Sequence, residues 1–160
     1  MEVERLADGG ESRGFDLPLA EMLRLLPALA STEGYARGHV SFARKRGRPV
    51  AELSVSARLS LRCQRCLNPV WIEVDDQSQV RFVSDPAWAD ENDSGIEPTL
   101  ASGGKISLRD LVEEGLLLSV PLVPRHGDLR ECGVFDDQTT EDEGMQRPFA
   151  GLGELLKRRS

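Results

Sequence analysis

Between Ala51 and Cys63 the chain alternates without a break. Ala51, Leu53, Val55, Ala57, Leu59, Leu61 and Cys63 are interleaved with Glu52, Ser54, Ser56, Arg58, Ser60 and Arg62. A two-residue period sends successive side chains to opposite faces, so this is a long strand with one apolar face and one wetted face. Upstream, Gly38–Arg44 fits an antiparallel neighbour, with Lys45-Arg46-Gly47-Arg48-Pro49 as the joining turn. Downstream, Val70, Ile72 and Val74, then Val80 and Phe82, keep one inward parity through Asp75-Asp76, where a turn or bulge fits. The pattern predicts a three-stranded antiparallel meander.

Two helices are expected to cover its apolar side. Asp16 can cap the first, with Pro18 in its first turn and Leu19, Met22, Leu23 and Leu26 on one stripe, giving a helix near 17–26 that Pro27 and Gly34 end. Ser107 and Asp110 form a capping pattern for the second, near 107–119, whose apolar residues are Leu108, Leu111, Val112, Leu116 and Leu118. Pro121 and Pro124 stop it. Gly115 in its middle costs about 1 kcal/mol relative to Ala, which points to a close backbone approach there. Glu113-Glu114 reads as a solvated helix face. Residues 1–14 read as a loose N-terminus, 84–104 and 127–147 as long acidic loops. In the tail, 148–160, Phe149, Leu152, Leu155 and Leu156 are expected to dock back on the domain. The 160 residues therefore read as one α+β domain.

The net charge of -7 conceals a segregation of signs. Residues 1–83 carry a net of +1 and residues 84–160 a net of -8. From Arg37 to Arg65 there are eight basic residues against one acid, Glu52, whereas Asp85–Glu97 and Asp128–Glu143 are acidic. Such asymmetry marks either a polyanion-binding surface or basic and acidic faces that neutralise one another in the fold. On the first reading Arg44, Lys45, Arg46 and Arg48 in the turn contact phosphates, and Arg58, Arg62 and Arg65 extend the track. With five Phe, two Trp and one Tyr, aromatics are scarce, which argues against a platform for stacking bases.

Cys63-Gln64-Arg65-Cys66 is the compact chemical motif of the chain. A structural zinc needs four ligands, and His126 and Cys132 could complete the set if the fold returns them. Two other readings stand beside this one. In the first the cysteines carry no ligand and Cys63 is an inward core residue. In the second they form a redox pair, which the absence of a helix start after the motif disfavours. Three cysteines cannot pair off evenly, which suits a reducing compartment. The opening Met1-Glu2-Val3-Glu4-Arg5 has no basic-then-apolar signal pattern, and no apolar run is long enough to span a bilayer, so the expected location is cytoplasmic. Gly9-Gly10 and Gly103-Gly104 lack the flanking elements of a phosphate loop, no nucleophile elbow occurs, and His39 reads as a structural residue. No enzyme activity and no small-molecule substrate are expected.

Several segments, taken in order, resemble the YceD family, the large ribosomal RNA subunit accumulation proteins of bacteria and plastids. They are Cys63–Leu67, Ile106–Glu114, Leu117–His126, Cys132 and Pro148–Leu152 with a terminal Leu156-Lys157; Leu17-Pro18-Leu19 and Gly34 fit as well. The resemblance implies a part in the synthesis, processing or stability of 23S ribosomal RNA. It carries over no catalytic residues, while Cys63, Cys66, His126 and Cys132 match its pattern. The extended acidic stretches Asp85–Glu97 and Asp136–Glu143 depart from it. The expectation is a non-enzymatic factor that meets precursor or mature 23S ribosomal RNA through a basic sheet face. One alternative is an adaptor for ribosomal proteins or assembly factors, and another a metal-dependent RNA-processing enzyme.

Overall fold

A computed structural model describes residues 1–85 and 96–133. Its frame is a curled six-stranded sheet. After helix α1 (Val3–Gly9) come β1 (Ser12–Pro18), β2 (Leu29–Ser31), β3 (Tyr35–Lys45), β4 (Arg48–Arg62), β5 (Pro69–Val83) and β6 (Glu97–Leu100), then helix α2 (Leu108–Ser119). Spatial order is β1-β3-β4-β5-β6, and β2 pairs with the far end of β4. All pairings are antiparallel except β5 with β6, so the sheet is mixed. Among the described residues no helix is long and apolar enough to cross a membrane.

The inward parity of β4 holds from end to end, although Val50 and Ser60 on its other face are covered as well. Ala51, Leu53, Val55, Ala57, Leu59 and Leu61 are buried, joined by Val40 and Phe42 of β3 and by Val70, Val74 and Phe82 of β5. The β3–β4 turn is tighter than the sequence suggested. Lys45 already pairs with Arg48, leaving Arg46 (φ 50°) and Gly47 (φ 78°) as a two-residue loop with both φ positive, which matches the twist of a hairpin. The β4–β5 register runs unbroken through Val55↔Asp76 and Ser56↔Asp75, so no bulge occurs at those aspartates. Gly38 is required on β3: a Cβ there would lie 1.9 Å from the Ser54 carbonyl oxygen.

The helix expected near 17–26 does not form. Asp16, Leu17 and Pro18, its would-be first turn, belong to β1 and pair with Arg37, Ala36 and Tyr35. The stretch left before Pro27 is too short for a stable α-helix. It breaks into 3-10 turns at Leu19–Glu21 and Leu26–Ala28, with Met22 at φ -92°, ψ 82°. Its apolar residues still enter the core, but through Leu19, Met22 and Leu25, while Leu23 is 71% exposed.

The N-terminus is built rather than loose. Val3, Leu6 and Ala7 of α1 are buried, and the Met1 backbone exchanges hydrogen bonds with Ile106. Residues 97–104 form β6 and a 3-10 turn instead of loop. The rest of the acidic stretches, 86–95 and 134–147, and the tail 148–160 lie outside the described residues.

Helix α2 begins as its capping pattern predicts, with Ser107 Oγ accepting from the Asp110 N–H at 3.3 Å. A Cβ on Gly115 would stand 3.3 Å from Leu53 Cδ2, so the glycine lets this helix lie close on β4. Glu113 corrects the reading of a solvated Glu-Glu face. It is 4% exposed, and its Oε1 accepts from the backbone N–H groups of Arg24 (2.5 Å) and Leu25 (3.1 Å). A single carboxyl thereby fastens the connection that replaced the expected helix. Glu113→Ala, which strands two buried donors, is expected to lower unfolding stability by about 2–4 kcal/mol. Glu113→Gln, whose amide oxygen still accepts, is expected to recover most of that loss in urea unfolding.

Candidate functional sites

Strand β4 delivers the first cysteine. Its inward parity continues one residue past Arg62 and buries Cys63. The chain then reverses tightly: Leu67 N–H donates to the Cys63 carbonyl and Cys63 N–H to the Asn68 carbonyl, both at 2.9 Å. Leu67 takes φ 63°, a left-handed conformation uncommon for a residue with a branched side chain. Gln64 N–H donates to Pro124 O at 2.8 Å and so stitches this turn to the segment that follows α2. There Asp128 caps a short 3-10 turn, Leu129–Cys132, accepting from Arg130 N–H at 2.9 Å.

These two local devices bring together residues roughly sixty positions apart in sequence. One ligand atom each from Cys63, Cys66, His126 and Cys132 lies within 4.8 Å of all the others. Cys63 Sγ is 4.0 Å from Cys132 Sγ, and His126 Nδ1 is 3.5 Å from Cys66 Sγ and 3.6 Å from Cys132 Sγ. A tetrahedron with bonds of about 2.3 Å to sulfur and about 2.05 Å to nitrogen has edges of about 3.8 Å and about 3.6 Å. The four side chains could hold a metal with little movement. His126 Nε2 lies 3.1 Å from the Pro69 carbonyl oxygen. That oxygen can only accept, so the proton sits on Nε2 and the Nδ1 lone pair faces the sulfurs. None of the three cysteines is in a disulfide, and the Cys-x-x-Cys turn does not open a helix, which removes the dipole a redox pair would use.

The seven basic residues of the sequence reading do not form one track. Arg44 shares the inner parity of Phe42, and its guanidinium is gripped by Asp8 and Glu4 of α1. Lys45 pairs with Glu52 at 3.2 Å and Arg58 with Glu73 at 3.2 Å. Arg65 belongs to the thiol cluster: its N–H lies 3.4 Å from Cys63 Sγ and its Nη1 3.7 Å from Cys132 Sγ. What gathers is a cluster at the hairpin end of the outer face, where Lys45, Arg46 and Arg48 line a cavity of about 250 Å³. Arg58 and Arg62 stand on the same face but further along; ten residues of β4, about 33 Å of strand, separate Arg48 from Arg58.

Parity alone could have found three residues that the sequence reading passed over. Arg81 falls between the inward Val80 and Phe82; it lines the hairpin cavity but is itself only 2% exposed. Tyr35 and Trp71 likewise sit at outward positions of β3 and β5, half exposed. Exposed His39 lines a shallow polar groove of about 350 Å³ between these two ends, together with Ser41, Glu52, Ser54, Gln77 and Gln79.

The thiol cluster has uneven electrostatics. Burial opposes ionisation of Cys63, but the backbone N–H groups of Cys66, Arg65 and His126 directed at its sulfur prevail and bring its pKa down to about 5. Burial pushes the Cys132 thiol up, helped by the neighbouring Cys66 and Cys63 and opposed by the Arg65 side chain. The sign for stability follows from Cys63. Its thiolate stabilises the metal-free fold in full above the ordinary thiol value of 9.0, and that contribution is lost as pH falls through about 5. Chelator-treated protein is therefore expected to gain stability from pH 5 to 9 with a slope that Cys63→Ser flattens in denaturant titrations. Cys132, whose pKa is raised, opposes that slope only as pH nears 9, where the unfolded-state thiol begins to ionise.

No curated protein and no solved structure matches the chain. A family model described as "Large ribosomal RNA subunit accumulation protein YceD" matches residues 51–156. The match takes in β4 from Ala51 onward, β5, α2 and all four side chains of the thiol–histidine cluster, and with well over half the sequence covered, this chain belongs to the YceD family.

Proposed function

We propose that the protein acts in the cytoplasm as a non-enzymatic factor for the synthesis, processing or stability of 23S ribosomal RNA, contacting that RNA through the outer face of its sheet. Family membership carries the pathway. The gathering of Lys45, Arg46 and Arg48 around one outer-face cavity, with the buried Arg81 in its lining, is the observation that supports direct contact. Arg62, exposed on the same face, extends it. Arg44 and Arg65 take no part in this reading, because the first is committed to α1 and the second to the thiol cluster. With about four phosphate contacts, log affinity for single-stranded 23S fragments is expected to fall with log salt at a slope near -3. Arg46→Glu with Arg48→Glu should cut that affinity at least tenfold at fixed ionic strength in anisotropy titrations. Binding indifferent to both salt and charge reversal would remove direct RNA contact from the proposal.

The thiol–histidine cluster supports a structural zinc. Four protein ligands close the coordination sphere, and a closed sphere holds chain segments together rather than activating water. Three thiolates around a divalent ion leave one negative charge, and the Arg65 guanidinium beside Cys132 offsets it. Protein purified without chelator is expected to contain one equivalent of zinc, and cobalt substitution to give tetrahedral and thiolate charge-transfer absorption that Cys132→Ser weakens. Less than half an equivalent would leave the cysteines as unligated core thiols.

A second reading, an adaptor for ribosomal proteins or assembly factors, has its own observation. Pro27, Leu29, Leu61, Leu117, Val120 and Leu122 line a mostly apolar groove of about 490 Å³, and Leu122 is 98% exposed. Exposed apolar surface of that kind suits a protein contact. The charge-reversal variant separates the readings, since an adaptor retains its partner when Arg46 and Arg48 are inverted.

A further inference from the structure

The far end of the outer face holds an arrangement that the hairpin cations do not explain. Tyr35 and Trp71 are 50% and 48% exposed, and both point away from the core. The Arg58 guanidinium lies over the Trp71 ring at 4.8 Å, and that of Arg37 over the Tyr35 ring at 5.5 Å. Register makes this one patch. Trp71 pairs with Ser60 and Glu73 with Arg58, while Tyr35, one step beyond the Ala36↔Ala57 pair, stands level with Arg58 on the opposite side. Two strand spacings and a two-residue offset put the aromatic residues about 12 Å apart, with Arg58 between them. Exposed Arg62 lies four residues beyond Arg58 on β4, two past Ser60, the partner of Trp71.

Each guanidinium is held by a carboxylate, Arg58 by Glu73 at 3.2 Å and Arg37 by Asp16 at 3.1 Å. Asp75 shares the face, so the patch carries both signs and is no simple phosphate magnet. Its distinguishing property is flat π surface: two rings and two guanidinium planes laid against the wetted side of a sheet. Such planes accept nucleobases by stacking, which tolerates any base but requires that the base be unpaired. Aromatic residues are scarce in the chain as a whole, yet its single tyrosine and one of its two tryptophans meet here.

We infer that Tyr35, Arg58 and Trp71 form a stacking platform for single-stranded RNA, so that the nucleic acid this protein holds is an unpaired segment and not a duplex. The inference rests on the proposed RNA reading and gives it a substrate class. Cations at the hairpin position the backbone, and the platform takes the bases of a strand running along β4 across the polar groove between them.

The test uses the full chain and two probes, a purine-containing single-stranded RNA oligonucleotide and the same oligonucleotide annealed to its complement. Wild type should prefer the single strand. Trp71→Ala with Tyr35→Ala should weaken single-strand binding about tenfold or more while leaving the salt slope unchanged, and Trp71→Phe should restore most of it. In a Trp88→Phe background the remaining Trp71 fluorescence should be quenched by the single strand and not by the duplex. Circular dichroism and thermal melting check that the variants fold. Equal affinity of wild type and the double variant for the single strand, or equal preference for duplex, would overturn the platform while leaving RNA contact standing. Absence of binding to either probe would overturn both readings. A ribosomal protein that quenches Trp71 where RNA does not would reassign the patch to a protein partner.

Discussion

One strand with two unlike faces organises this molecule. β4 is fifteen residues long, lies at the centre of the sheet, and is paired on both sides along most of its length. Its odd-numbered residues bury themselves beneath α1, α2 and the turns between β1 and β2. Of its even-numbered residues, Glu52, Ser56, Arg58 and Arg62 stay exposed, while Val50 and Ser60 are covered. A slip of one residue would exchange the two sets, so the core, the orientation of the outer-face cations and the inward position of Cys63 depend on a single register. The cysteine cluster is in that sense the last inward step of the core, at the point where the strand ends.

Polar side chains then do what apolar packing does not specify. Glu113 reaches from α2 to the backbone of Arg24 and Leu25 and locks a stretch that lacks regular structure of its own. The Gln64 N–H to Pro124 O bond and the Asp128 cap present His126 and Cys132 to the Cys-x-x-Cys turn. Each is a hydrogen bond to backbone; those of Glu113 and Gln64 join α2 or the segment after it to another part of the chain, and the Asp128 cap shapes that segment locally. The same economy governs the charges. Arg44 ties β3 to α1 and Arg65 serves the thiols, so a basic-rich stretch of sequence yields only a partial cationic surface.

Much of this was legible residue by residue. The alternation of 51–63, the parities of 70–74 and 80–82 and the capped second helix all follow from contacts made within an element or between strands adjacent in sequence, and the close approach at Gly115 was signalled by the cost of a glycine in mid-helix. The helix at 17–26 misled because its stripe was real but its first turn was claimed by pairing with β3, which no local pattern reports. Glu113 misled for a similar reason. A carboxylate on a helix is ordinarily solvated, and only the path of the chain past it supplied two orphaned N–H groups.

The amino-acid sequence by itself determined which side chains face the core on each central strand, since that needs nothing beyond a period of two and the cost of wetting apolar surface. It also contained four metal-ligating residues of suitable type. Only the tertiary structure decided that those four converge, that the seven cations divide among three surroundings, and that Tyr35 and Trp71 flank Arg58. Each of these is a meeting of residues distant in sequence, and such meetings are set by strand order and by the route of connecting segments, quantities that local periodicity does not encode.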